Sequence, residues 1–264
     1  MNNQIESIAF IGGGRLTYIL LQGLKRENAL PSRIFVSDHN PDKLKKILSI
    51  SPETIKTSIE NKNVVKAQIL FLSIHPNVFE QVAEEIKNHL EAETIVVSCI
   101  PTITMKKISE YLNEHKQLVR IIPNAHSIVG KGYNPFSFHP SVTKKNRKKL
   151  KNLAIHWGKL VEVEERDLEA YAIITGMGPT YFWFQWLELL RLAQEFGIEE
   201  TRAKEALSEM LHGAVITLLE SDLSAEEVLD LIPTYPLKKN EEEICRIFTE
   251  RLSGLWQKLK SVTC

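Results

Sequence analysis

The chain has 264 residues, enough for one large domain or two smaller ones. Hydrophobic residues at 43% and charged residues at 25% exclude extended disorder and supply the apolar surface a sizeable core needs. Lysine and arginine (33) balance aspartate and glutamate (33), which removes the global attraction of a nucleic-acid or anionic-membrane binder and points to a small, specific ligand.

Strands and amphipathic stretches alternate through the first half. Residues 5–11, 34–36, 69–73, 94–98 and 118–122 are β-branched runs that read as strands. Helical stretches near 16–26, 41–50, 76–89 and 104–113 separate them. This order predicts a doubly wound parallel sheet with helices on both faces. Residues 133–138 and 159–163 read as further edge strands on either side of a helix over about 143–157. The basic run Lys144–Lys149 inside that helix has no interleaved aromatics and reads as a solvated face.

After residue 167 the strand signal ends, and helices are expected near 168–175, 179–196, 201–220, 225–231 and 241–260. The charged stretch Glu164-Glu165-Arg166-Asp167 separates the two patterns, so the expected domains are 1–164 and 165–264. The most apolar segment, 181–193, is interrupted by Gln185, Glu188 and Arg191 and falls short of the ~20 residues that span a bilayer, so a buried helix is expected. Apolar residues cover most sides of 179–196, and each large side chain left in water forgoes roughly 1.5–3 kcal/mol, which predicts a partner subunit as its shield. The cysteines Cys99, Cys245 and Cys264 form no Cys-x-x-Cys pair and read as reduced thiols, and no metal site is expected. The first residues carry neither a basic n-region nor a long apolar stretch, so the cytoplasm is the expected compartment.

The chemistry begins at Gly12-Gly13-Gly14-Arg15-Leu16-Thr17, where strand one runs into a helix. That is the context of a dinucleotide fingerprint: Gly12 allows the turn, Gly14 lets the backbone approach a diphosphate, and the helix N-terminus stabilises its charge. Thr17 stands where a third Gly or Ala is usual, and either pushes the helix outward or bonds the preceding turn through its hydroxyl. Asp38 ends the second strand, close to the expected spacing of roughly 20 residues, and can accept from an adenosine ribose. An aspartate there favours NAD, whereas Ser37, His39, Asn40 and Arg15 favour the 2′-phosphate of NADP, so both cofactors stay open.

From these residues onward the sequence resembles the pyrroline-5-carboxylate reductase family. Ile8-Ala9-Phe10-Ile11-Gly12-Gly13-Gly14 is similar to the family's opening strand and turn, and Ser73-Ile74-His75-Pro76 sits where the family has Ala-Val-Lys-Pro beside the nicotinamide. Arg120-Ile121-Ile122-Pro123-Asn124-Ala125-His126 resembles its Arg-x-Met-Pro-Asn-Thr-Pro, and Ile174-Thr175-Gly176-Met177-Gly178-Pro179-Thr180-Tyr181 its Leu-Ser-Gly-Ser-Gly-Pro-Ala-Tyr. The resemblance implies a Rossmann-type domain followed by an all-helical domain that dimerises, a homodimer or higher assembly, and a small imino acid substrate. It implies that Gly12, Gly13, Gly14, Arg15, Leu16, Ser37, Asp38, His39, Ser73, His75, Pro76 and Asn124 hold NADP or NAD.

Reducing a cyclic imine needs a hydride donor, a carboxylate clamp and charge at nitrogen. Asn124 and Thr175, on loops at the carboxyl edge of the sheet, are the candidate catalytic residues, with His126 and Ser127 as further polar groups there. The family's Thr-Ser-Pro-Gly-Gly-Thr-Thr is replaced by Pro233-Thr234-Tyr235-Pro236-Leu237-Lys238-Lys239, in which Lys238 or Lys239 offers charge to an anionic substrate. Two other readings remain: a β-hydroxyacid dehydrogenase, whose usual lysine base is absent from 179–196, and a dinucleotide-binding paralogue without catalysis.

Overall fold

The computed structural model describes residues 5–263. Its first compact unit runs to Met177 and takes in the end of the last helix from Leu255, while the second spans Gly178–Gly254. The short helical segments that follow the charged stretch at 164–167 therefore pack with the sheet, because Leu168 and Ala172 bury themselves against Ile122.

The sheet has eight strands: β1 (Ser7–Ile11), β2 (Arg33–Ser37), β3 (Ile55–Ser58), β4 (Ile69–Leu72), β5 (Ile95–Ser98), β6 (Leu118–Ile121), β7 (Gly132–Phe138) and β8 (Gly158–Glu162). Their spatial order is β3-β2-β1-β4-β5-β6-β7-β8, with β6 and β7 antiparallel and every other neighbouring pair parallel. The first six strands follow the doubly wound dinucleotide-binding order, in which the chain reverses direction beside β1 and opens a crevice at the carboxyl ends of β1 and β4. Strand β3 was not expected: of Ile55-Lys56-Thr57-Ser58 only Ile55 is buried, so the strand carries almost no apolar signal.

Residues of opposite parity on β1 feed two cores. Ile8 and Phe10 join α1 (Arg15–Arg26), through Leu20, Leu21 and Leu24, on one face. Ala9 and Ile11 join α3 (Phe79–Ile86) and α4 (Met105–Tyr111) on the other. Strands buried on both faces read as continuous apolar runs, which is why β1, β4 and β5 were legible. Trp157 is wholly buried in the first core, edge-on to Phe71 at 5.8 Å, with its indole N–H donating to the Leu20 carbonyl at 2.9 Å. Helices α2 (Pro41–Leu48) and α5 (Lys144–Ala154) complete this layer.

The expected helix over 168–175 divides into α6 (Leu168–Tyr171) and one π-turn, Ala172–Gly176. Such turns interrupt helices most often at functional sites.

The second unit contains α7 (Pro179–Glu195), α8 (Glu200–Glu220), α9 (Ala225–Asp230) and most of α10 (Glu241–Thr263). Within it α7 meets α10 through Tyr181 and Phe248, edge-on at 5.9 Å. The expected burial of α7 is not met in the single chain. Only Pro179 is buried, and Phe184 and Leu187 stay 65% and 67% exposed, because the small helical unit has no sheet to cover them. Among the described residues no helix is long and apolar enough to cross a membrane.

Candidate active site

Strand β1 delivers Ile11 into the glycine turn, where each glycine answers a different demand. Gly12 has φ +101°, and a Cβ there would lie 2.3 Å from the Ser73 carbonyl oxygen, so no side chain is tolerated. Its N–H donates to the Ser37 carbonyl at 2.8 Å, tying the turn to the end of β2. The Gly13 N–H donates to Asp38 Oδ2 at 2.9 Å. A Cβ at Gly14 would meet nothing within 4 Å, so its space is open toward solvent. Thr17 is fully buried and its hydroxyl donates to the Gly12 carbonyl at 2.5 Å, which is the second of the two arrangements expected for it.

Helix α1 opens at Gly14 with no side-chain cap and no acidic residue in its first turn, and Arg15 occupies the first helical position. A bare helix N-terminus prefers negative charge, and a cation there is unfavourable unless an anion accompanies it. Open space at Gly14, an uncapped helix start and Arg15 together fit the diphosphate of a dinucleotide.

A cavity of about 720 Å³ extends from this turn along the carboxyl edge of the sheet. It is lined by Gly12, Gly14, Arg15 and Leu16 at the turn, by Ser37, Asp38 and His39 after β2, and by Ser73, His75 and Pro76 after β4. Ten of the twelve residues expected to hold the cofactor thus converge. Gly13 is turned toward Asp38, and Asn124 lies outside this lining. Lys43, Asn61, Gln81, Cys99 and Pro101 also form the walls and were not anticipated. Position was the available signal for Cys99 and Pro101, which follow β5 at the carboxyl edge where ligands of such sheets bind.

Several wall groups are already engaged. Asp38 accepts from the Asn40 N–H at 2.8 Å and stands 3.4 Å from the Lys43 ammonium. The Ser37 hydroxyl donates to Asn61 Oδ1 at 2.7 Å. His75 Nδ1 pairs with Asn77 Oδ1 at 3.1 Å. Burial pushes the Cys99 thiol up to about 12, against a smaller opposing effect of the nearby Ser73 hydroxyl, so it stays neutral at physiological pH.

Asn124 follows β6 and is 95% buried by its own turn and by β7. Its N–H donates to Asn134 Oδ1 at 3.3 Å, and its Nδ2 donates to the carbonyls of Tyr133 at 3.3 Å and Thr175 at 3.4 Å. Those two carbonyls fix the amide orientation, since only the nitrogen can face them. Asn124 Oδ1 is left buried without a hydrogen-bond partner. The Thr175 hydroxyl donates to the Tyr171 carbonyl at 2.8 Å, closing the π-turn. Behind the loop, Asn134 also accepts from the Ser127 hydroxyl at 2.9 Å. As one buried amide in a strand, Asn134 gave no sequence signal.

Lys238, in the second unit, is exposed and paired with Glu241 at 2.9 Å, which raises its pKa.

The fold and this cavity define a dinucleotide-dependent oxidoreductase. Residues 7–102 match the family model described as "NADP oxidoreductase coenzyme F420-dependent".

More particularly, the chain is similar to pyrroline-5-carboxylate reductases, as its motifs led one to expect. It is 24% identical over 223 residues to the pyrroline-5-carboxylate reductase of Staphylococcus epidermidis, covering 84% of this chain and 82% of that protein. Its fold matches the crystal structure of Plasmodium falciparum pyrroline carboxylate reductase with NADP bound, at 19% identity and a TM-score of 0.83 over 100% of both chains. The 1-pyrroline-5-carboxylate reductase of Streptococcus pyogenes gives a TM-score of 0.81 at 18% identity, over 98% of this chain and 100% of that one.

Proposed function

We propose that the chain is a cytoplasmic, NADP(H)-preferring reductase that transfers hydride to a cyclic imine, 1-pyrroline-5-carboxylate or a close relative, giving proline or its analogue. The observation that carries this reading is the convergence of the glycine turn, the end of β2 and the Ser73–Pro76 segment on one cavity. NADP is favoured over NAD by His39 and Lys43, which line the cavity and follow β2 in the chain, while Asp38 is held by backbone N–H groups and Lys43. The Plasmodium protein, which shares the fold, was crystallised with NADP.

When bound, the reduced nicotinamide supplies the hydride. The chain's own task is placement and charge. Gly12 and Gly14 give the backbone close approach to the diphosphate, and Arg15 offsets its charge. Asn124 Oδ1, a fixed acceptor without a partner, is suited to receive the N–H of a protonated imine. Holding the iminium form favours hydride acceptance, and a preoriented dipole does so without reorganisation. Thr175 contributes through its carbonyl, which orients Asn124. Lys238 is the proposed counter-charge for the substrate carboxylate and has to exchange Glu241 for it. A second copy of the chain is the proposed cover for α7.

The test mixes purified protein with NADPH or NADH and a panel of cyclic imino acids and follows loss of the reduced-nicotinamide absorbance. Turnover with an imino acid supports the reading. Tight dinucleotide binding with no turnover across the panel replaces it with a non-catalytic nucleotide-binding role, which the replaced segment 233–239 favours.

A further inference from the structure

Four non-glycine residues among those described have positive φ: Asn28, Thr102, Asn113 and Glu114. Three are exposed. Thr102 alone is buried, and it alone is β-branched, the class of side chain that tolerates this region least. Its φ is +68°. Strain of this kind persists only where the surroundings impose it.

The Thr102 N–H is bound by Glu169 on α6. The carboxylate is 2% exposed, and its Oε1 accepts from the Thr102 N–H at 3.1 Å and from Arg120 Nη2 at 2.5 Å. Arg120, on β6 and 1% exposed, also reaches Glu165 at 3.1 Å, and Glu165 accepts from the Met105 N–H at 2.6 Å. The two glutamates thus hold the middle of the segment joining β5 to α4 and its junction with α4. That segment carries Cys99 and Pro101, which are walls of the dinucleotide cavity. The Thr102 hydroxyl adds a bond to the Pro101 carbonyl at 2.5 Å, so rotation at residue 102 moves Pro101 as well.

We propose that Glu169 is a positioning residue for the dinucleotide site: by holding Thr102 in the left-handed conformation it sets Pro101 and Cys99 against the cofactor. This rests on the reading that the cavity takes a dinucleotide. Neutralising Arg120 does not require Glu169, since Glu165 already pairs with it. Glu169 supplies the acceptor for the Thr102 N–H and also for Arg120 Nη2, so the Thr102 bond is separated from the Arg120 bond by the Thr102→Gly background.

The experiment is a double-mutant cycle read by dinucleotide affinity and melting temperature. Glu169→Met preserves volume and leaves Arg120 paired with Glu165. It is expected to weaken NADPH binding about tenfold, a usual size for coupling between residues in contact. Thr102→Gly, which adopts positive φ freely, is expected to raise the melting temperature and keep affinity within about twofold of wild type. In the Thr102→Gly background, Glu169→Met is then expected to cost less than about twofold. Glu169→Gln retains an oxygen for the Thr102 N–H and is expected to bind like wild type, even where the Met variant folds poorly. An equal loss in both backgrounds, a lower melting temperature with unchanged affinity, or a Gln variant as weak as the Met variant overturns the positioning role. If the wild-type protein binds neither NADPH nor NADH, the reading of the cavity itself fails, and the inference falls with it.

Discussion

The Gly13 amide and the Asp38 carboxylate meet at 2.9 Å, joining the turn after β1 to the end of β2. The same carboxylate accepts from Asn40 and lies beside Lys43, so an acid that commonly receives an adenosine ribose is here part of the turn's own scaffold. On the proposed reading, Lys43 beside it is the group that discriminates between cofactors. Lys43→Ala is expected to weaken NADPH about tenfold while changing NADH much less, since a charge-assisted contact to a phosphate is worth roughly 1.5–3 kcal/mol before screening. Titrations of both nucleotides at low and high salt check this, with the NADPH advantage shrinking as salt rises. An equal loss for the two nucleotides would place Lys43 on the shared diphosphate instead.

Gly12 and Gly14 separate the demands of folding from those of binding. Gly12→Ala puts a methyl 2.3 Å from the Ser73 carbonyl at φ +101°, so the melting temperature is expected to drop sharply along with binding. A Cβ at Gly14 meets nothing within 4 Å, so for Gly14→Val the melting temperature is expected to hold while dinucleotide affinity falls by at least about tenfold. Calorimetry of the two variants with and without NADPH distinguishes these outcomes.

The legible parts of the fold were those in which one local rule dominates. β1, β4 and β5 are apolar on both faces and announce themselves as strands, and Gly12 and Gly14 sit where a strand becomes a helix. Ile55–Ser58 escaped notice because an edge strand with one buried side chain is held by its neighbour's backbone, which composition does not record. Asn134, Glu169 and Lys43 escaped for a related reason. Each matters through a partner distant in sequence or through the wall it joins, and neither periodicity nor spacing carries that information. Asp38 was found by position, but its engagement with Gly13 depends on how two strand ends approach in space.

His115 gives the fold a pH dependence. It is 9% exposed, and its Nε2 lies 2.8 Å from the Thr94 carbonyl. Burial lowers its pKa below 6.5, only partly opposed by that hydrogen bond. Between the lowered value and 6.5 the unfolded chain therefore holds more protons than the folded one, so stability falls as pH drops through that window. His115→Gln keeps a donor for Thr94 and does not titrate. Its melting temperature is expected to vary less than that of wild type between about pH 7 and pH 5. Parallel curves for the two proteins would remove His115 as the source.

The exposed face of α7 makes the proposed homodimer testable apart from catalysis. Phe184 and Leu187, at 65% and 67% exposure, would each gain roughly 1.5–3 kcal/mol on full burial. Leu187→Glu places a charge on that face and is expected to shift the sedimentation profile toward monomer. A wild-type protein that sediments as a monomer at micromolar concentration would rule out the second copy as cover.

Asn124 is where the proposed chemistry is most exposed to test. Its nitrogen is committed to the Tyr133 and Thr175 carbonyls, so its oxygen is left as a buried acceptor without a hydrogen-bond partner. Asn124→Ala removes that acceptor and the tie to the π-turn, and kcat with a cyclic imino acid is expected to fall about 100-fold, the scale on which one oriented dipole contributes. NADPH affinity should stay within about threefold of wild type, because Asn124 lies outside the cavity lining. Asn124→Asp is the sharper probe. A carboxylate keeps an oxygen where the iminium N–H would be received but turns its other oxygen against two carbonyls, so stability should fall. Whatever fraction stays folded should retain more turnover than the Ala variant. An Asp variant as inactive per folded molecule as Ala, or an Ala variant that loses affinity for NADPH and keeps kcat, would move Asn124 from the imine to the cofactor.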